Sequence, residues 1–287
     1  DWSPCGLDEH LLGIKAKRQL PPDSALLKGW TDHTEALDPA KADWWQPIDG
    51  GWHQPRAGWL KPGQLVRHLL DHPAIETARG WSIQQLQSKP QGWEMIDGQG
   101  RRITGARTVI VAMGPASTTL LGSCGISLPL QPVRGQVSFG PVPQPHPDNW
   151  PMSPRNGDGS LLPSVPFQGQ DQWLVGSSFD RSTDRAQITP EDQTLNAQRW
   201  QRLSPDTAHL LPQSSDWQAW AGVRATVRDR LPRVGATPLD GLWVFAGLGA
   251  RGLTLSTLCG EQLAARITGA PHPLPRMLSR HVDQQRP

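Results

Sequence analysis

The chain has 287 residues, enough for a full hydrophobic core and for two subdomains sharing one cleft. A formal net charge of +2 excludes a strongly polybasic protein while leaving room for a local basic face. Gly and Pro, 29 of each, with 14 Trp and no Tyr, describe a loop-rich globular chain and fall short of a disordered signature.

Over the first fifty or so residues, Trp and Pro punctuate a weak periodicity that assigns no element. "KPGQLVRHLLDHP" then predicts a helix, with Pro62 in its first turn, Leu65, Val66, Leu69 and Leu70 on one apolar face and Pro73 as its stop. "WSIQQLQ" and "GWEMIDGQGRRI" alternate and carry Asp-Gly, as an antiparallel hairpin does. "TVIVAMGP" has four consecutive apolar residues before Gly114-Pro115 and predicts a strand buried on both faces, as in a parallel sheet. "RGQVSFG" reads as a strand, Gly140 to about Ser160 as a long Pro-rich connection, and "DQWLVGSSFD" as another strand. "ITPEDQTLNAQRWQRL" is a helix capped by Thr189, with Pro190 first and Glu191 and Asp192 in its opening turn. "WAGVRATVRDRLPRVG" alternates, and "LWVFA" is a strand leading into "GLGARGL" and a long helix from Leu253, apolar at Leu255, Leu258, Leu263 and Ile267.

Cys5, Cys124 and Cys259 are far apart and odd in number, so neither a disulfide framework nor a zinc site is expected, and a reducing, cytoplasmic location fits. No run of about 18 apolar residues suggests a membrane span. "DWSPCGLDEH" has neither the basic nor the apolar region of a signal peptide, and the missing initiator Met suggests a chain that begins inside a longer protein.

Gly247, Gly249 and Gly252 match the G-x-G-x-x-G dinucleotide fingerprint, in which glycines turn the backbone off a strand and aim a helix N-terminus at an anionic ligand. That fingerprint also requires a second parallel strand after the helix and an acidic residue about 20 positions on. Here "TGAPHPLPRMLSRHVDQQRP" follows, proline-broken and polar, so the pyrophosphate role fails on context. A purely structural glycine turn is the plain alternative.

"GVRATVRDRLPRVGATP" followed by "LWVFAGLGARGLTLSTLCGEQLAARITG" resembles the C-terminal part of the D-amino-acid-oxidase-like FAD-dependent oxidoreductases. Within that family the resemblance is greatest to the oxidoreductase domain of the bifunctional enzymes of tRNA 5-methylaminomethyl-2-thiouridine biosynthesis. "AGWLKPGQLVRHLL" and "PVRGQVSF" extend it from about Gly50 to Gly269. It implies an α/β fold of mixed α+β character, with an FAD/NAD(P)-binding-type sheet and an antiparallel-sheet substrate domain. The expected divisions are a helical and loop region over 1–75, a hairpin and buried strand of the FAD domain over 76–125, the substrate domain over 126–240, and the last strand, flavin turn and helix over 241–287.

The resemblance places the glycine turn at the flavin end of FAD, where Gly247, Leu248, Gly249, Ala250, Arg251, Gly252, Leu253 and Thr254 approach the pyrimidine edge of the ring, with Ala112 and Gly114 after the other buried strand. Backbone N–H groups and a helix dipole there stabilise the negative charge of reduced flavin. Arg224 takes the position that holds a substrate carboxylate, for which a guanidinium fork supplies two parallel donors, and Arg251 is a second contact to flavin or substrate. The family's N-terminal strand–GxGxxG–helix–strand has no counterpart in residues 1–50, where "LLGIKAKRQLPPDS" has one glycine. The sheet is therefore expected to lack its N-terminal βαβ unit, through truncation or degeneration, with weak FAD binding by this chain alone.

Arg228, Arg230 and Arg233 form a cluster that could meet tRNA phosphates or be a solvated face, and Arg134 could line the cleft or be a plain strand-edge residue. His68 and His72 have the spacing of a metal pair but lack the H-E-x-x-H glutamate and a third ligand. Ser256 sits in no nucleophile elbow, and the tryptophans could stack bases, though most are expected in core or loop packing. The expected activity is FAD-dependent oxidation that removes the carboxymethyl group of 5-carboxymethylaminomethyluridine at the tRNA wobble position. No side-chain base is assigned, and a methyltransferase acts next. The alternatives are a glycine or D-amino-acid type oxidase of a free small amino acid, and a non-enzymatic remnant.

Overall fold

The structure is a computed structural model that describes residues 2–10, 46–48, 51–55, 57–283 and 285. "LLGIKAKRQLPPDS", on which the missing-fingerprint expectation partly rests, lies outside the described residues. The first strands are β1 (Trp2–Ser3), β2 (Asp8–His10), β3 (Gln46–Ile48), β4 (Gly51–His53) and β5 (Trp59–Leu60), followed by helix α1 (Pro62–Leu70). Next come β6 (Ile83–Lys89), β7 (Gly92–Asp97), β8 (Arg102–Ala106), β9 (Val109–Val111) and the short helix α2 (Ser117–Gly122). Strands β10 (Gln131–Pro141), β11 (Arg155–Gly157), β12 (Gly159–Phe167) and β13 (Gln170–Gly176) lead to helix α3 (Pro190–Leu203). The last described elements are β14 (Gln218–Thr226), β15 (Arg233–Ala236), β16 (Leu242–Ala246), α4 (Gly252–Thr268) and α5 (Arg276–Val282). The chain divides into two compact units, the first of residues 1–69, 135–179 and 187–221, the second of residues 70–134, 180–186 and 222–287.

The first unit is built on a largely antiparallel sheet, in which β13, β12, β11, β2, β4 and β3 lie in that order and β11 and β2 run parallel. Helix α3 starts where Thr189 accepts a hydrogen bond from the Asp192 backbone N–H, the cap expected from the sequence. Tryptophans fill the core beneath it: Trp173 lies 5.2 Å from Trp200 and 4.8 Å from Trp217, both edge-on, and Trp150 lies 5.4 Å from Trp200. The indole N–H groups of Trp150, Trp200 and Trp217 donate to Pro163 O, Thr207 Oγ1 and Pro212 O, so these rings bury their area without stranding a donor. Between α3 and β10 a buried polar layer joins Gln193 to Ser138 and to the Trp217 carbonyl, and Asn196 to Ser138 and the Gln136 carbonyl.

One expectation needs correction here. The Pro-rich stretch after Gly140 is not one long connection, because β11 and the start of β12 lie within it, paired Arg155 to Leu161 and Gly157 to Gly159. Pro163 falls within a register shift of β12 between Leu162 and Val165, while Pro166 pairs in register with Asp171. The apolar stripe of α1 is real but uncovered among the described residues, with Val66, Leu69 and Leu70 exposed.

The second unit has three layers. Its central sheet orders β15, β16 and β9, with β16 antiparallel to β15 and parallel to β9. On one face Val109, Val111, Leu242 and Val244 pack with Leu86 and Trp93 of the β6–β7–β8 meander and with Leu120 and Leu121 of α2. On the other, Val234, Trp243 and Phe245 pack against Leu255, Cys259 and Leu263 of α4. The "LWVFA" strand and the hairpin through Asp97-Gly98 form as the sequence predicts. The β9 strand is parallel as expected but not buried on both faces: Val109 and Val111 are buried, while Ile110 between them is 46% exposed.

Candidate cofactor and substrate site

The site in the second unit is set by where β9 and β16 end. They run parallel with Val111 opposite Val244, so Ala112 and Gly114 leave the sheet at the same end as the Gly247 turn. In open α/β sheets ligands bind outside these carboxyl ends. Ala112 is exposed, Gly114 is half-buried with φ +58°, and the next loop is held by Met113 N–H donating to Ser117 Oγ at 3.0 Å.

Two of the three fingerprint glycines are required by geometry. Gly247 has φ +72°, and a β-carbon there would stand 2.6 Å from Val227 Cγ2 and 3.2 Å from Leu130 Cδ2. Gly249 has φ +57°, and its β-carbon would lie in ordinary contact, 3.7 Å, with Thr226 Cγ2. Gly252 has φ −56° and only Leu248 nearby, so any small residue fits there. The turn passes through a short 3-10 segment, Gly249–Arg251, into α4, whose N-cap residue Arg251 makes no side-chain cap. No side chain of the N-cap residue therefore occupies the N-terminal end of this 17-residue helix. Ala250, Arg251, Leu253 and Thr254 are exposed, while Leu248 and Gly252 are half-buried.

Arg224 is half-buried on β14, and Thr226, two residues on, shares its face of the strand. Thr226 touches the space over Gly249 and donates from Oγ1 to the Gln131 carbonyl at 3.0 Å. The strand carrying Arg224 is thereby pinned about one strand repeat, roughly 7 Å, from the glycine turn. Thr226 was not singled out by motif, and its signal was the alternation that puts it on the Arg224 side of β14.

The other candidates separate. Arg233 is 6% exposed, with Nη2 3.7 Å from Asp229 Oδ2, so it is not part of a solvent-facing trio with Arg228 and Arg230. Arg134 is 2% exposed and its backbone bridges Asp180, so it is an interior residue and not a plain edge arginine. The Ser182 hydroxyl and backbone N–H, aided by the Arg134 charge, hold the Asp180 carboxyl below the usual range. His68 is exposed on α1, while His72 lies beyond it and accepts from Ala74 N–H, and no metal-holding cluster exists among the described residues. Ser256 donates to the Leu253 carbonyl within its own helix. Cys5, Cys124 and Cys259 are free, and burial pushes the Cys259 thiol up.

A meander on one face of a partly parallel sheet, a helix on the other and a glycine turn at the strand ends define the class of FAD/NAD(P)-binding folds. The pattern of the family "DAO: FAD dependent oxidoreductase" matches residues 8–266. The chain belongs to this FAD-dependent oxidoreductase family, whose cofactor is FAD.

The chain is 35% identical, over 99% of its length, to the tRNA 5-methylaminomethyl-2-thiouridine biosynthesis bifunctional protein MnmC of Polaromonas sp. JS666, covering 47% of that protein. It is 37% identical, over its whole length, to the protein of the same name from Paracidovorax citrulli, again covering 47%. It thus spans about half the length of these curated relatives. Among solved structures, iminodiacetate oxidase from Chelativorans sp. BNC1 matches 98% of this chain with TM-score 0.71 and 20% identity, the chain covering 76% of it. Glycine oxidase from Geobacillus kaustophilus matches 96% with TM-score 0.71 and 19% identity, covering 73%. These likenesses show the fold.

The residues present fit the flavin end of FAD: two obligatory glycines strip side chains from the turn, and uncapped helix amides follow. For the ADP half, no other described segment carries three glycines at this spacing. Among the described residues, no helix is long and apolar enough to cross a membrane.

Proposed function

We propose that this chain oxidises the carboxymethylamino group of 5-carboxymethylaminomethyl(-2-thio)uridine at the wobble position of tRNA, in the cytoplasm. The observation that carries this reading is the closeness of Thr226, on the strand of Arg224, to the Gly249 turn, where a β-carbon on Gly249 would lie 3.7 Å from Thr226 Cγ2. Support also comes from chemistry. Glycine and iminodiacetate, the substrates named for the two solved neighbours, share an N–CH2–COO⁻ unit, and the modified uridine carries the same unit.

Arg224 binds the carboxylate with two parallel N–H donors, fixing which face of the CH2 is presented. Gly247 through Thr254, with Ala112 and Gly114, would hold the flavin end, and Arg251 adds a cation at the mouth of the turn. FAD, when bound, supplies a two-electron acceptor for the CH–NH bond. Oxidation of that bond and hydrolysis release the carboxymethyl carbons as glyoxylate and leave an aminomethyl group on the uridine. The amine reacts in its neutral form, so no side-chain base is assigned. A methyltransferase then consumes the aminomethyl product, and the bifunctional character named for the relatives makes a fused partner the natural arrangement.

The test is nucleoside chromatography of tRNA carrying the modification, incubated with the protein and FAD. Conversion to the aminomethyl nucleoside is expected, with loss of about two orders of magnitude in kcat/KM for Arg224→Ala and only partial rescue by Arg224→Lys, whose point charge lacks the fork. Untouched nucleoside with brisk oxidation of free glycine would falsify the tRNA reading and favour a small-amino-acid oxidase. No flavin absorbance and no turnover of either substrate would point to a remnant.

A further inference from the structure

We propose that Arg228 and Arg230 form a phosphate-binding rim beside the glycine turn, and that the partner they grip is the backbone of an RNA. This rests on the tRNA reading above and deepens it by separating the residues that hold the polymer from those that hold the reacting group.

The segment between β14 and β15 is rooted on the turn. Val227 fills the hollow that Gly247 leaves open, and the Arg233 backbone N lies 3.6 Å from the same point. From that root a tight turn closes through the Arg230 N–H donating to the Val227 carbonyl at 2.9 Å. Its one carboxylate is already engaged: Asp229 accepts from Leu231 N–H at 3.0 Å and lies 3.7 Å from the buried Arg233. The arginines on either side of it are not so engaged. Both are exposed, and neither guanidinium enters a hydrogen bond or ion pair among the described residues.

Backbone conformation adds a second, independent sign. Arg230 has φ +62°, the left-handed region that glycine enters freely and a long side chain enters only at a cost. A strained position that carries a large exposed cation, where glycine would relax the loop, is the kind of outlier that marks a functional contact.

The chemistry of the rim selects the ligand. Guanidinium presents a planar fork of donors that matches phosphate, and each neutralised phosphate releases condensed counterions. The carboxylate of a small substrate is met deeper, by the half-buried Arg224. A free amino acid held there has no use for two solvent-facing cations outside the turn, whereas a polynucleotide presenting one nucleoside to the turn continues across this surface. With a formal net charge of only +2 on the chain, such a grip is local and not a consequence of the overall field.

The experiment measures binding of unfractionated tRNA by anisotropy between about 50 and 300 mM salt, for wild type, Arg228→Gln/Arg230→Gln, Arg230→Gly, and Arg107→Gln as an exposed arginine elsewhere in the unit. The double variant is expected to lose about 1.4 to 1.8 units of salt slope and to bind about 10- to 100-fold more weakly at low salt, with iminodiacetate turnover unchanged. Arg230→Gly is expected to raise the unfolding midpoint while weakening tRNA binding, a pairing that a merely structural arginine does not give. Wild-type slope in the double variant overturns the rim and leaves the tRNA reading standing. Equal loss in Arg107→Gln also overturns it, since the attraction is then diffuse. Absence of tRNA binding by wild type at the lowest salt removes both.

Discussion

The two edges of the central sheet in the second unit are finished differently. Along β15 the C-terminal segment closes the sheet. Asp283 bridges Val234, its Oδ2 accepts from Arg266 Nη1 at 2.7 Å, and Gln285 Nε2 donates to the Ala236 carbonyl. Gly235 makes room, since a β-carbon there would stand 2.7 Å from Arg266 Nη1. Gln262, 1% exposed on α4, fixes the same segment by bonding Ser279, His272 and the Leu274 N–H. Along β9 no further strand pairs among the described residues, and Ile110, on the α4 face opposite Trp243, is 46% exposed.

Helix α4 follows the same division, with Cys259, Leu263 and Ala265 buried toward its C-terminal half and Leu253 and Leu258 exposed toward its turn. Parallel strands are ordinarily covered on both faces. Among the described residues the sheet is thus closed along β15 and open along β9, the strand that runs parallel to β16. Among the described residues, strand β9 is held by the meander beneath it and has no strand neighbour on its far edge.

That contrast is broken or sharpened first at adjacent residues of one strand. Val111→Lys drives an ammonium into the meander core and is expected to cost about 4 kcal/mol or more, while Ile110→Lys stays within roughly 0.5 kcal/mol. Urea unfolding measures both, and equal losses mean that the edge is covered after all. At the turn, Gly247→Ala is expected to cost about 3 kcal/mol, since a β-carbon meets Val227 in a left-handed backbone. Gly252→Ala, already helical, is expected to gain about 0.5 kcal/mol. Should both substitutions prove neutral, the backbone at Gly247 is not the one described. At the closed edge, Arg266→Ala is expected to cost about 1 kcal/mol, from a partly exposed ion pair and the stacking of the guanidinium 5.9 Å from the Trp243 ring. Hydrogen exchange should then rise in residues 276–283 and not in β9.

How far the sequence could be read follows from how local each signal is. Strand β16, its glycine turn and α4 were legible because turn chemistry and helical period lie within one short stretch, and Thr189–Pro190 announced α3 in the same way. The flavin-end role of the turn came from resemblance, since spacing alone spelled the pyrophosphate fingerprint. What the residues concealed was tertiary. Strands β11 and β12 were hidden by Gly157, Gly159, Pro163 and Pro166, which read as loop until a partner strand and a register shift accommodate them. Arg233 looked like one of three exposed cations because nothing local says that it begins a buried strand, while Arg228 and Arg230 remain outside. Thr226 became visible only when Gly249 was placed against it.

The meander that anchors β9 carries its own pH dependence. Asp97 closes the β7–β8 turn, accepting from Gln99 N–H and Arg101 N–H at 2.9 Å each and from Arg101 Nε at 2.6 Å. Burial works to raise its carboxyl, but the Arg101 side chain and the two backbone donors outweigh it, so the group sits below the usual carboxylate range. Because the folded value is depressed, the stabilisation is complete above the ordinary carboxylate value of about 3.9 and is lost as pH falls through the folded one. Unfolding midpoints of wild type and Asp97→Asn should therefore converge as pH drops below about 4, with wild type more stable at neutral pH. A constant gap across that range would show that the turn is held by its backbone shape and not by the charge. The meander would then grip β9 independently of pH, and the open edge would be the strand's sole weak side.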